Sequence, residues 1–177
     1  MTGTETKSIR EAFAADHDRL DYLFAEFQRL KRIDYPKAKE NFKQFKTGLQ
    51  RHIIWEEQIL FPLFEKQTGM RDVGPTAVMR AEHRQIGARL EALHDKVRHA
   101  DPESDHEEEA LVQLLSQHNL KEEMVLYPAM DRMLGEPEIA AAFQAMEQLP
   151  KEAYVTCCGH HHTAVQIGTK LGGEGHE

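Results

Sequence analysis

The sequence is poor in cysteine, and the two it has, Cys157 and Cys158, are neighbours. Adjacent thiols cannot staple distant segments, so a disulfide framework is excluded and stability has to come from packing. Long apolar runs are missing too: no stretch approaches the roughly 20 apolar residues of a spanning helix. The opening residues lack a basic start followed by an apolar run, so the chain is expected to be cytoplasmic. Formal net charge is −8, and no Lys/Arg-rich block with interleaved aromatics occurs, which argues against nucleic-acid and anionic-membrane partners. No CxxC spacing suggests a zinc site, and no segment alternates as a strand does.

What the chain has is length for one domain and 11 histidines among 177 residues. Apolar residues recur at three and four, as in Phe13, Leu20, Leu23, Phe24, Phe27 and Leu30, the mark of an amphipathic helix. Breakers at Asp34-Tyr35-Pro36, Thr68-Gly69, Gly74-Pro75 and Asp101-Pro102 divide the chain into four helical segments. These run from about Thr6 to Arg32, Pro36 to Gln67, Pro75 to Ala100 and Glu103 to Leu134. Short connections make neighbours antiparallel, so the expected fold is all-α, an up-down-up-down four-helix bundle. A fifth, Ala-rich segment from Glu136 to Gln148 is expected to cap one bundle end, giving a domain over 1–149 and a Cys/His-containing tail over 150–177.

One pattern occurs twice. His52-x3-Glu56-Glu57 followed by Leu60-Phe61-Pro62 is answered by His118-x3-Glu122-Glu123 followed by Leu126-Tyr127-Pro128. A His and a Glu four residues apart share one helix face, and two such pairs can supply imidazole and bridging carboxylate to iron, manganese or zinc. A single pair reads as an ordinary surface contact worth a few tenths of a kcal/mol; the duplication is what points to a metal. Pro62 and Pro128, each ten residues past its His, should bend or end their helices. Counting along the segments puts His17 and His83 about 12 to 16 Å from one bundle end, at the depth of both pairs. Both sit on the apolar stripe of their helices and are expected to point inward. Glu57 and Glu123 turn about 100° away and are expected to support the ligands or meet solvent.

His17, His52-x3-Glu56, His83 and His118-x3-Glu122, in this order, resemble the hemerythrin-like, or HHE cation-binding, domain over about Ile9 to Leu134. Asp16-His17 and Glu82-His83-Arg84 fit the same resemblance. It implies a non-heme centre of two iron ions, oxo- or hydroxo-bridged, with Glu56 and Glu122 bridging and the four histidines completing the ligand set. Zinc or manganese is the alternative metal. It implies binding or sensing of dioxygen, nitric oxide or peroxide, or else iron storage, delivery or repair of iron centres. Oxygen-carrying members have a fifth His one turn from the position of His83; the flanking turns here carry Met79 and Gly87. Asp21, Tyr22 or a water are candidates for the gap, and Gly87 leaves room for a ligand.

A ferritin-like oxidase would use Glu-x-x-His pairs, and Glu91-x-x-His94 and Glu103-x-x-His106 have that spacing near a bundle end. Cys157-Cys158-Gly159-His160-His161-His162 offers thiol and imidazole as a second candidate site. A purely structural bundle of packed histidines is the remaining reading.

Overall fold

The computed structural model describes residues 7–154, and these are all-helical with no strand. The Cys/His segment and the rest of the tail lie outside the described residues. Helix α1 (Ile9–Leu30) starts at Ser8, whose Oγ accepts from the Glu11 amide at 3.1 Å while Glu11 accepts from the Ser8 amide, a reciprocal cap. Helix α2 (Tyr35–Trp55) is capped by Asp34 with Pro36 in its first turn. Then come α3 (Phe61–Thr68), α4 (Pro75–Arg98), α5 (Asp105–Lys121), α6 (Tyr127–Met133) and α7 (Glu136–Gln148). Helix α3 stops at Gly69, whose φ of 71° is the left-handed turn a glycine adopts freely. The third and fourth long segments end and start two residues inside their expected limits: the chain leaves helical geometry at His99, takes a positive φ of 54° at Ala100, and re-enters a helix after Ser104.

The two prolines interrupt their helices in the same way. The regular α-helix stops at Trp55 and at Lys121, and each proline is preceded by one π-helical turn, Glu56–Leu60 before Pro62 and Glu122–Leu126 before Pro128. The Phe61 amide donates to the Glu56 carbonyl and the Tyr127 amide to the Glu122 carbonyl, both five residues back. A π turn absorbs the missing proline donor and adds a residue to the helix, and such turns frequently sit at functional sites. Both begin at the Glu of the repeated motif.

Pairings between helices run in opposite senses. Asp16 meets Arg51 and His52, Leu20 packs over Gly48, and Phe24 and Phe27 meet Phe45 and Phe42, so residue numbers rise along α1 as they fall along α2. Tyr35 with Val97, Phe42 with His94, and Glu57 with His83 do the same for α2 and α4. At the ends of α1, the Ile9 amide donates to Asp131 of α6 at 2.8 Å, and Lys31 meets Asp105 and Glu108 of α5.

Two apolar clusters fill the interior. One joins Leu20 to Leu30 of α1 with Phe42, Phe45, Ile86, Leu90, Leu93 and Leu111. The other gathers Ile9, Phe13, Leu60, Phe61, Met79, Leu126 and Met130 with Ile139, Ala142 and Met146 of α7. Between them the buried residues turn polar: His17, His52, Glu56, His83, His118 and Glu122. A buried polar layer between two apolar clusters is costly unless its members satisfy one another or a bound cation.

Candidate metal centre

All six residues picked out in the sequence are buried, the two glutamates completely. They form two groups that share Glu122. Glu56, His83, His118 and Glu122 bring one ligand atom each to within 4.8 Å of one another, and His17, His52 and Glu122 do likewise. His83 Nε2 stands 3.2 Å from Glu56 Oε2, and His118 Nε2 3.0 Å from Glu122 Oε1. On the other side His17 Nε2 is 3.0 Å from His52 Nε2 and 3.5 Å from Glu122 Oε2.

Each imidazole is held from behind by a carboxylate on its Nδ1. Glu123 holds His17 at 2.6 Å, Asp16 holds His52 at 3.0 Å, Glu57 holds His83 at 2.8 Å and Glu82 holds His118 at 2.9 Å. A carboxylate at Nδ1 keeps the proton there, which turns the Nε2 lone pair toward the centre. Glu57 and Glu123 thus each hold one of these histidines in place, the supporting one of the two roles expected of them. Asp16 and Glu82 do the same, and sequence reasoning missed that role. The only local signal was their position next to His17 and His83; each serves a histidine of another helix.

The electrostatics point the same way. Burial lowers the pKa of His17, but hydrogen bonds to Glu122 and Glu123 outweigh it and raise the value to about 9. Burial likewise opposes a charge on His83, while the adjacent Glu56 carboxylate and the hydrogen bond to Glu57 raise its pKa to about 10. For Asp16 burial raises the pKa, and the His52 hydrogen bond overrides it, bringing it to about 2. The carboxylates therefore demand positive charge at the centre, which protons on the histidines or a metal cation can provide.

Three atoms bear on that choice. Glu56 Oε2, Glu122 Oε1 and His83 Nε2 are buried without a hydrogen-bond partner. They approach neighbours closely, yet none is oriented to bond to them. Buried polar atoms left this way cost roughly 1–3 kcal/mol each. Lone pairs converging on a common point without bonding one another fit a cation in their midst, and the mix of imidazole nitrogen and carboxylate oxygen suits iron, manganese or zinc.

Tyr127 was not picked out by the sequence. Fully buried, its hydroxyl lies 2.6 Å from Glu56 Oε1, 3.0 Å from Glu122 Oε2 and 3.3 Å from His52 Nε2. Burial and the two carboxylates push the phenol pKa well above its ordinary value. Of the neighbours proposed for the gap, Tyr22 is 65% exposed, while Asp21 is an exposed residue on the wall of a cleft of about 500 Å3 between α1 and α5. This cleft reaches His17 and Glu123. A Cβ at Gly87 would meet nothing within 4 Å, so the turn after His83 is open. The Glu-x-x-His pairs stay apart from both groups. Glu91 and His94 are 3.6 Å from each other, while Glu103 is 75% exposed and pairs with Arg32.

Fold and site together define an all-helical protein with a buried histidine–carboxylate centre of metal-binding type. The family model for the hemerythrin HHE cation binding domain matches residues 8–130, and the chain belongs to that family. Among curated proteins it is similar to the iron-sulfur cluster repair protein YtfE of Escherichia coli O157:H7, 28% identical over 95 residues, covering 50% of this chain and 43% of that one. The YtfE proteins of E. coli O1:K1 and of Shigella boydii serotype 18 are each 30% identical over 96 residues, covering 49% of this chain and 44% of theirs. The chain therefore spans less than half the length of these relatives. No solved structure gave a significant match. No helix among the described residues is long and apolar enough to cross a membrane.

Proposed function

We propose that this protein holds a non-heme pair of iron ions in an up-down-up-down four-helix bundle that, with a short capping helix, makes up a domain over 1–149, and that the pair takes up dioxygen, nitric oxide or peroxide in the cytoplasm. In this reading His17 and His52 serve one ion, His83 and His118 the other, and Glu56 and Glu122 lie between them. The opposed pairings of α1 with α2 and of α2 with α4 support the topology. The observation that carries the metal reading is the convergence of buried, unpartnered Glu56 Oε2, Glu122 Oε1 and His83 Nε2 within two residue groups that share Glu122.

An iron pair supplies redox chemistry and an open position for a small ligand. The chain's own residues do the rest. Asp16, Glu57, Glu82 and Glu123 fix the imidazole orientation, the two apolar clusters keep bulk water from the layer, and the cleft beside His17 gives approach from solvent. Four histidines, two carboxylates and a bridging oxygen fill about ten of roughly twelve positions around two six-coordinate ions. The space beside Gly87 suits the remainder.

A second reading, iron delivery or repair of iron centres, is favoured by the similarity to proteins named for iron-sulfur cluster repair. Metal analysis of untagged protein beside a His52→Ala/His118→Ala variant tests the centre. About two irons per chain, lost in the variant, is expected from the donor set, whereas one zinc or manganese would reassign the metal. Stopped-flow mixing of the reduced protein with each small ligand tests the first function: a spectral change with none of them would sink it. Rapid removal of iron by a chelator without unfolding would favour delivery.

A further inference from the structure

Tyr127 is the one buried phenol whose oxygen enters the polar layer, and the π turn explains how it gets there. In a regular α-helix residues five apart lie about 140° from one another around the axis. The π turn Glu122–Leu126 closes a bond of five residues instead, stacking Tyr127 above Glu122 on the inward face. The first copy of the motif has Phe61 at the corresponding place, lying parallel to the His83 ring at 5.7 Å and bringing no oxygen. The two halves of the centre are therefore chemically unequal.

Hydrogen bonding alone does not account for the phenol's surroundings. Its single proton can serve one acceptor, yet three atoms lie within 3.3 Å: Glu56 Oε1, Glu122 Oε2 and His52 Nε2. Asp16 bonds Nδ1 of that His52 ring at 3.0 Å, which leaves its Nε2 facing the phenol. His17 Nε2 lies 3.0 Å from His52 Nε2 and 3.5 Å from Glu122 Oε2, beside the same group of atoms.

Resting on the di-iron reading, we propose that Tyr127 is a protein ligand of the ion on the His17/His52 side, its phenolate oxygen completing a set with His17, His52, Glu56 and Glu122. Phenolate oxygen is an established iron ligand in proteins. As the oxygen–metal bond forms, the O–H bond breaks and its proton is released to solvent, as metal binding releases protons from its ligands generally. No electron is transferred in this step. The His83/His118 side, with Phe61 in the matching place, has no such oxygen and keeps the more open ligand set.

Resonance Raman spectroscopy of the ferric, iron-loaded full-length chain decides this. Excitation in its visible absorption is expected to enhance tyrosinate ring modes that shift when the protein is grown on ring-deuterated tyrosine. These modes disappear in Tyr127→Phe, with iron content and helical circular dichroism retained. They persist in Tyr22→Phe/Tyr35→Phe/Tyr154→Phe, which leaves Tyr127 as the only tyrosine, so the assignment stands even if Tyr127→Phe fails to fold. Iron bound at about two per chain without tyrosinate modes would overturn the ligand role and leave the di-iron reading intact. Modes that survive in Tyr127→Phe, or vanish in the triple variant, would overturn it equally. A wild-type chain that takes up no iron would remove the di-iron reading and this proposal together.

Discussion

His118 Nδ1 lies 2.9 Å from Oε2 of Glu82, the residue that precedes His83 on the adjacent helix. The same handover occurs at every step. The carboxylate next to His17 holds His52, the one after Glu56 holds His83, the one before His83 holds His118, and the one after Glu122 holds His17. The support of the four imidazoles is a closed ring in which each helix orients the ligand of the next.

Opening this ring at one link should loosen the metal without unfolding the chain. Glu82→Ala frees His118 to rotate and removes the partner of Lys121. Metal affinity is expected to fall by about 10- to 100-fold, the usual cost of losing such a partner, with helix content unchanged. Competition with a chromogenic chelator would measure it; affinity within about twofold of wild type would show that the ring is ornamental.

Two helical glycines should respond to alanine with opposite signs. A Cβ at Gly48 would stand 2.7 Å from Leu20 Cδ2 and 2.9 Å from Arg19 Nη2 in the seam between α1 and α2, whereas one at Gly87 meets open space. Gly87→Ala should stabilise the metal-free chain by about 0.5–1 kcal/mol through helix propensity. Gly48→Ala gains the same propensity and loses more to overpacking, for a net loss of about 1 kcal/mol. Urea denaturation of the two variants side by side gives both signs.

Lys31 is buried at the end of α1, with Nζ 2.5 Å from Glu108 Oε1, itself buried, and 2.5 Å from Asp105 Oδ1. Lys31→Met leaves the Glu108 charge buried and unpaired, an expected loss of about 3–5 kcal/mol. Adding Glu108→Leu removes that charge and should recover most of the loss. A double-mutant cycle by thermal denaturation checks this, and additive effects of the two substitutions would contradict it.

The exposed end of the same network should be sensitive to acid. Hydrogen bonds from Arg32 and Lys31 hold the Asp105 carboxyl well below the ordinary carboxylate range. A carboxyl with a depressed folded-state pKa contributes stability that is fully present above its unfolded value and is lost as pH falls toward the folded one. Asp105→Asn should therefore lower Tm at pH 7, and the difference from wild type should shrink once the pH drops below about 3.8. Equal differences at pH 7 and pH 2 would show that the contacts contribute no charge-dependent stability.

Much of this was legible in the chain itself. The helical periods, the breakers between them and the His-x3-Glu spacing are local, because residues one turn apart share a face wherever the helix is placed. Depth counting then put His17 and His83 level with the two motifs. Loss of one amide donor at each proline predicts a bend or an end; the α-helices do end there, and the form of the interruption, a five-residue hydrogen bond at each motif Glu, was not legible.

The sequence by itself determined the helices, their apolar stripes and the six residues that meet in the polar layer. Only the tertiary structure decided which carboxylate stands behind which imidazole, because Asp16 and His52, or Glu82 and His118, lie 36 residues apart and meet only when their helices dock in one register. It alone set Tyr127 among the donors as well. The added residue of a π turn rotates every later side chain, and a pattern read at 3.6 residues per turn carries no record of that rotation.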